Sequence, residues 1–132
     1  MITKLDYDKW DFSGQGKNIL PLLTQQEKTI WFSALPFQDK RDDLGQGEVV
    51  TYFALFLLQT VPARREIVIP AAILHDIGWS KIKNAGKAHR DANAIRDGVV
   101  DSIVYRMAHQ TEGVKIAHEI LSKLDYPRKC DR

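Results

Sequence analysis

The run VVTYFALFLLQ at positions 49–59 contains no charged residue and is apolar on nearly every face of a helix. A helix of that kind has to be covered on most sides, so it is expected at the centre of a fold. A strand is the alternative, because β-branched and aromatic residues are frequent in the run. The run is long and does not alternate between apolar and polar residues, which favours the helix. The sequence therefore predicts a central buried helix over about residues 48–59.

The size and composition of the chain predict one folded domain that spans residues 1–132, with an irregular N-terminal arm over about residues 1–18. Apolar residues make up 44% of the sequence and charged residues 27%, which is the balance of a globular protein. The net charge is only +2, from 19 basic and 17 acidic residues, and the basic residues are dispersed. A nucleic-acid polymer is therefore not expected as a partner.

Cysteine usage and hydropathy indicate the compartment. Cys130 is the single cysteine, so no internal disulfide can form, which fits a reducing environment. The first residues, MITKLDYDKWDF, lack an apolar signal core, and no apolar run reaches the roughly 20 residues needed to cross a bilayer. We therefore expect a cytoplasmic protein without a membrane partner.

A second informative stretch is IPAAILHDIGW at positions 69–79. Its apolar residues recur at helical spacing, Pro70 is suited to the first turn of a helix, and Gly78 is suited to stop one. His75 and Asp76 would then lie at the end of a short buried helix, about 100° apart around its axis. One cation at the edge between them could contact both side chains, and the partial negative charge of a helix C-terminus would favour it.

Two further helices are predicted, one from Pro21 to about Leu35 and one from about Ser102 to Leu124, joined to the rest by polar connectors at residues 37–48 and 80–101. Gly113 is expected to be a bend or a close-packing point of the last helix, and the segment 125–127 resembles the start of another helix. The apolar stripe predicted for the last helix consists of Val104, Ala108, Val114, Ala117, Ile120, Leu121 and Leu124.

Three segments carry a resemblance to a known family. AAILHDIGW resembles the signature of the HD superfamily of metal-dependent phosphohydrolases, QGEVVTYFALFLL resembles the helix of its first histidine, and HQTEGVKIAHEIL resembles its later histidine helix. The resemblance covers the chain from about Arg41 onward and is strongest to the small HD hydrolases. It implies an all-α helical bundle of the HD-domain type, with the C-terminal part truncated.

The resemblance also implies a metal site. His75 and Asp76 would be ligands of one divalent ion (Mn, Fe, Zn, Ni, Co or Mg), and Asp76 would also orient the attacking water as the catalytic residue. His109 matches a downstream histidine of the family that binds a second metal or the phosphate. Gln46 occupies the place of the first histidine, where its carbonyl oxygen would be a neutral ligand that suits hard cations.

The function implied is hydrolysis of a small phosphorylated substrate, such as a nucleotide, with Arg41 and Lys81 pairing with the phosphate. Because Gln46 replaces a histidine and no distal aspartate is present, the alternative is a non-catalytic HD-fold binding or dimerisation module. A third interpretation is a structural bundle in which His75 and Asp76 only cap a helix. A homo-oligomer is compatible with each interpretation.

Overall fold

The computed structural model describes residues 9–11, 13–38, 44–81 and 99–126, with side chains from residue 106 onward in the last segment. These residues form helices and turns without a strand, which confirms the all-α class. The α-helices are α1 (Gln25–Ala34), α2 (Gln46–Leu57), α3 (Arg65–Leu74) and α4 (Val99–Lys123), and short 3-10 helices cover Leu20–Leu22, Leu35–Phe37 and Ile77–Lys81.

The first α-helix begins later than predicted. Pro21 belongs to a separate 3-10 turn, and Leu23 is extended, so helical geometry restarts only after Thr24. The Thr24 hydroxyl accepts a hydrogen bond from the Glu27 backbone N–H, and the Glu27 carboxylate accepts one from the Thr24 backbone N–H. This reciprocal capping box fixes the start of α1 at Gln25.

The prediction that Pro70 lies in the first turn of its helix is wrong, because α3 begins at Arg65 and Pro70 is inside it. A proline there removes the N–H that would bond the carbonyl four residues earlier, which belongs to Glu66. The Tyr126 hydroxyl donates a hydrogen bond to that Glu66 carbonyl. The interior proline is therefore accommodated by a side chain from beyond the end of α4.

The end of α4 also differs from the prediction of a new helix start at residues 125–127. Asp125 has a positive φ of 53°, and the Tyr126 N–H donates to the Leu121 carbonyl over 3.0 Å. A left-handed residue followed by this bond is a helix-ending arrangement. It closes α4 and turns Tyr126 toward α3, while Pro127 lies outside the described residues.

The prediction that α2 is a fully buried central helix is wrong for half of its surface. Thr51 and Leu55 are buried against the other helices, whereas Phe53, Phe56 and Leu57 on the opposite face are exposed. Apolar composition alone does not reveal that one of two apolar faces points to solvent.

The core lies where α3 packs against α1 and α2 on one side, while α4 packs against the 3-10 helix Ile77–Lys81. On α4 the predicted stripe is partly wrong, because Val114 is 70% exposed and Ile116, which was not included, is buried. The buried core residues include Ile19, Ile30, Trp31, Leu55, Ile69, Ile73, Ile77, Ile116 and Ile120.

None of the described helices is long and apolar enough to cross a membrane. Most of the predicted polar connector at residues 80–101 lies outside the described residues, as do most of the arm and the segment that follows Tyr126.

Candidate functional site

Three of the predicted site residues come together at the C-terminal end of α3. His75 directly follows the last residue of α3, Asp76 comes next, and His109 is on α4. His75 Nε2 lies 3.3 Å from Asp76 Oδ2, and His109 Nε2 lies 3.6 Å from Asp76 Oδ1. One carboxylate thus has an imidazole on each oxygen. We call these three residues the His–Asp–His cluster.

The tautomer of His75 follows from its backbone contact. His75 Nδ1 lies 2.7 Å from the Ala72 carbonyl oxygen, and because a carbonyl only accepts, Nδ1 carries the proton of that hydrogen bond. In a neutral ring Nε2 would then direct a lone pair toward the Asp76 carboxylate. That arrangement is repulsive, so it favours a proton or a cation between Nε2 and Oδ2. The arrangement of His75 and Asp76 therefore favours binding of a proton or a cation.

His109 is positioned by stacking rather than by hydrogen bonds. Its ring lies 4.2 Å from the Trp79 ring, with only 11° between the two planes. The Nδ1 atom of His109 is buried without a hydrogen-bond partner among the described residues. A buried nitrogen without a hydrogen bond lowers the free energy of unfolding. Its presence in a folded protein therefore calls for an explanation, such as a role in a functional site. Trp79 was not predicted to take part in the site, although an aromatic residue three positions after Asp76 was a visible signal.

A close backbone contact brings α4 to the cluster. A Cβ atom added to Gly78 would lie 1.7 Å from the His109 carbonyl oxygen and 2.5 Å from the Gly113 nitrogen. The predicted role of Gly78 as a helix stop is therefore wrong: α3 has already ended at Leu74, and Gly78 allows two backbones to touch. The expectation of close packing at Gly113 is confirmed.

Gln38 is a second residue that the sequence did not reveal. Its side chain is buried between α2 and α3: Nε2 donates to the Ile73 carbonyl over 3.2 Å, and the amide lies against Gly47. Its Oε1 is buried with no hydrogen-bond partner among the described residues. Gln38 therefore holds the start of α2 beside the end of α3, next to the cluster.

The other predicted site residues are not part of the cluster. Gln46 is the first residue of α2 and forms no hydrogen bond or ion pair with the cluster in the described structure. Lys81 is exposed at the end of the 3-10 helix, with its Nζ 6.0 Å from the centre of the Phe37 ring. Arg41 lies outside the described residues. His118 is exposed on α4.

The cluster does not form a metal site of the expected kind. Across the described residues, no group of three or more His, Cys, Asp or Glu side chains is arranged to hold a metal ion. Facing imidazole and carboxylate groups have the right chemistry for a divalent ion, but the geometry does not supply the ligand set. A divalent ion therefore stays a prediction, and no chemical step is assigned to it.

An apolar groove runs from His75 along the surface between α3 and α4. Its volume is about 460 Å³, which is in the range of ligand-binding clefts. The groove is lined mainly by Ile67, Pro70, Leu74, Val114 and Ala117, with Gln110 as a polar group near His75. His75 is therefore accessible from this groove.

No protein-family model matches the chain, and no solved structure matches it. One curated protein with which the chain shares 30% identity over 93 residues is a tRNA (cytidine(56)-2'-O)-methyltransferase from Picrophilus torridus. The alignment covers 69% of this chain and 27% of that enzyme. The chain thus spans about a quarter of the length of the relative that it matches.

The comparisons overturn the HD phosphohydrolase interpretation, because the relative is named as an RNA methyltransferase and no HD model matches. The expectation of a hydrolase with an HD domain is therefore wrong, and so is the alternative of a degenerate HD module. The cause is the low specificity of the signal: a His-Asp pair at the end of an apolar helix occurs in unrelated helical proteins. The expectation of no nucleic-acid partner also conflicts with a relative that acts on tRNA.

Proposed function

We propose that this chain is a helical tRNA-binding unit that serves 2'-O-methylation of tRNA ribose. The observation that carries the proposal is the 93-residue similarity to a tRNA (cytidine(56)-2'-O)-methyltransferase. Because that similarity covers about a quarter of the relative, recognition of tRNA is the function proposed first, and methyl transfer second.

Two basic residues next to the cluster would contact the RNA backbone. Lys81 ends the 3-10 helix that carries Trp79, and Arg106 lies one helical turn before His109. Both are exposed, and neither forms an ion pair with a described residue. By contrast, Arg65 pairs with Glu27 and Lys115 with Glu112, so they are less free to neutralise phosphates.

The binding test uses a fluorescent, unmodified tRNA transcript at about 50 mM salt, where phosphate contacts are strong. We expect salt-sensitive binding that weakens about tenfold in Lys81→Glu and in Arg106→Glu. Lys123→Glu is the matched control, because it makes the same charge change at the far end of α4. Absence of tRNA binding, or an equal loss in the Lys123 variant, would refute the proposal.

The geometry supports one chemical role in methyl transfer. When a ribose 2'-hydroxyl oxygen attacks the methyl carbon of a sulfonium donor, the O–C bond forms, the S–C bond breaks and a neutral thioether leaves, while the hydroxyl proton goes to a base. His75 Nε2 is suited to accept it, because Nδ1 is held by the Ala72 carbonyl and Asp76 stabilises the resulting imidazolium. His75 would thus be the general base, with Asp76 as its stabilising partner.

That role is tested with a radiolabelled methyl donor and the same tRNA. We expect His75→Ala to keep tRNA affinity within about twofold and to lose methyl transfer by at least about a hundredfold, the usual contribution of a general base. A chain that binds tRNA without methyl transfer would exclude the chemical role and leave the binding role standing. Metal analysis of the purified protein, with His75→Ala as control, tests the predicted divalent ion separately.

A further inference from the structure

Helix α2 has two apolar faces, and the described helices cover only one of them. Thr51, Tyr52 and Leu55 form the inner face, which packs into the core. At 100° per residue, the centre of the opposite face falls near Phe53 and Leu57. A helix that is apolar all round is normally buried all round, yet no described helix packs on the outer face of α2.

We define the α2 outer face as Phe53, Phe56, Leu57 and Val61, which are 41%, 38%, 52% and 48% exposed. Val61 belongs to the same face because the Val61 N–H donates to the Leu57 carbonyl over 2.8 Å, which continues the helical turn beyond Leu57. Val49 and Val50 extend the face toward the start of the helix and are half-buried. Contiguous exposed side chains of this kind mark an interaction surface.

The chemistry of the outer face decides which partner fits. No Asp, Glu, Lys or Arg occurs between Val49 and Ala63, so the face offers no cation to RNA phosphates and no ion pair to a charged peptide. A neutral apolar stripe is complementary to a copy of itself, because a two-fold axis places the same patch on both sides of the contact.

We infer that the chain forms a two-fold symmetric homodimer through antiparallel packing of the α2 outer faces. The stripe from Val49 to Val61 has its midpoint between Phe53 and Leu57. A two-fold axis at this midpoint places Phe53 of one copy against Leu57 of the other. This inference goes beyond the proposed tRNA function and does not depend on it.

The available area predicts a weak dimer. An aromatic side chain exposes about 200 Å² when free, so Phe53 and Phe56 each offer about 80 Å², and the whole face offers about 300 Å² per copy. The total of about 600 Å² is well below the roughly 1,200 Å² at which stable interfaces begin. We therefore expect a weak dimer that dissociates on dilution rather than a permanent one.

Sedimentation velocity of the full chain from about 10 to 500 μM tests the inference. The expected result is a rise of the average mass toward that of two chains, and a loss of this rise in Phe53→Glu, which places two like charges at the apolar contact. Val114→Glu is the matched control, because it adds the same charge to an exposed valine on α4. A chain that stays monomeric at 500 μM, or a Val114 variant as defective as the Phe53 variant, would overturn the inference.

Two further measurements keep the test decisive. Circular dichroism shows whether Phe53→Glu is folded, and if it is not, Leu57→Gln replaces it with a milder change and the same expected loss of association. Flotation with neutral phosphatidylcholine vesicles distinguishes self-association from membrane adsorption. A chain that is monomeric in solution but floats with vesicles would assign the outer face to a lipid surface and refute the dimer.

Discussion

The two ends of α3 carry charged groups that are arranged in opposite ways. At the first residue, the Arg65 guanidinium binds the Glu27 carboxylate with N–O distances of 2.7 and 2.9 Å, and also donates to the Leu22 carbonyl over 2.9 Å. Just after the last residue, His75 and His109 approach Asp76 only to 3.3 and 3.6 Å. The first group is held by several short hydrogen bonds, whereas the second contains a buried nitrogen without a described partner.

This difference separates a structural ion pair from a candidate reactive site. A bidentate arginine–carboxylate pair whose carboxylate also closes a capping box holds α1 and α3 together. The His–Asp–His cluster has facing imidazole and carboxylate groups that could bind a proton or a ligand, and the position of His109 in it depends on the close backbone packing at Gly78. Substitutions at the two ends of α3 should therefore have different effects.

Gly78→Ala is expected to have the largest effect. The added Cβ would overlap backbone atoms of His109 and Gly113, which cannot rotate away, so α4 has to shift. We expect the unfolding free energy, measured by urea denaturation, to fall by about 3 kcal/mol. Gly113→Ala is the control, because its Cβ would lie 3.4 Å from Gly78 and a helix interior favours alanine over glycine. Equal destabilisation by the two variants would contradict the proposed one-sided clash.

Arg65→Ala is expected to cost about 2 kcal/mol in unfolding free energy, because the buried Glu27 carboxylate loses a charged hydrogen-bond partner. Arg64→Ala, which removes the exposed pair with Glu66, is the control and should cost less than about 0.5 kcal/mol. If the two arginine variants were equally stable, the Arg65–Glu27 pair would not be a structural ion pair.

The same pair predicts how stability depends on pH. Burial opposes ionisation of Glu27, but the Arg65 and Thr24 hydrogen bonds outweigh it, so the pKa of Glu27 is lowered from its usual value of 4.5. The stabilisation is fully present above pH 4.5 and is lost as the pH falls through the lowered pKa. Urea midpoints between pH 7 and pH 3 should therefore fall more steeply in the native chain than in Arg65→Ala.

Tyr126→Phe is expected to cost about 1 kcal/mol, because the Glu66 carbonyl loses the hydroxyl that replaces the missing Pro70 N–H. In a Pro70→Ala background the helix supplies its own N–H, so the same tyrosine substitution should cost much less. A double-mutant cycle measures the difference, and a zero coupling energy would show that Tyr126 does not compensate for Pro70.

His109→Phe is expected to have the smallest effect on stability, within about 0.5 kcal/mol of the native chain. Phenylalanine keeps the stacking on Trp79 and removes a buried nitrogen that has no described partner. Thermal unfolding measures the change. A large destabilisation would mean that His109 makes a structural hydrogen bond. The distinction between a structural ion pair at one end of α3 and a candidate reactive site at the other would then be wrong.

The helical class could be predicted, because periodicity is a local property. The proximity of His109 to His75 and Asp76 was expected only from the resemblance to the HD family, because periodicity and residue type do not state which helices pack together. The exposure of one face of α2 could not be predicted, because periodicity does not state which apolar face is covered. Pro70 was misplaced because its partner Tyr126 is 56 positions away in the sequence. Family membership was misjudged because a short motif on a helix carries less information than an alignment over 93 residues.

The contact between Gly78 and Gly113 also has a consequence for folding. It joins segments 35 positions apart, so its formation requires closure of a long loop, and the entropy of that closure is recovered only when α4 docks. The His75–Asp76 pair exists as soon as α3 forms, but the complete cluster exists only after docking. We therefore expect native-state hydrogen exchange to reveal a partly open form, in which α1–α3 stay protected while the cluster is disassembled.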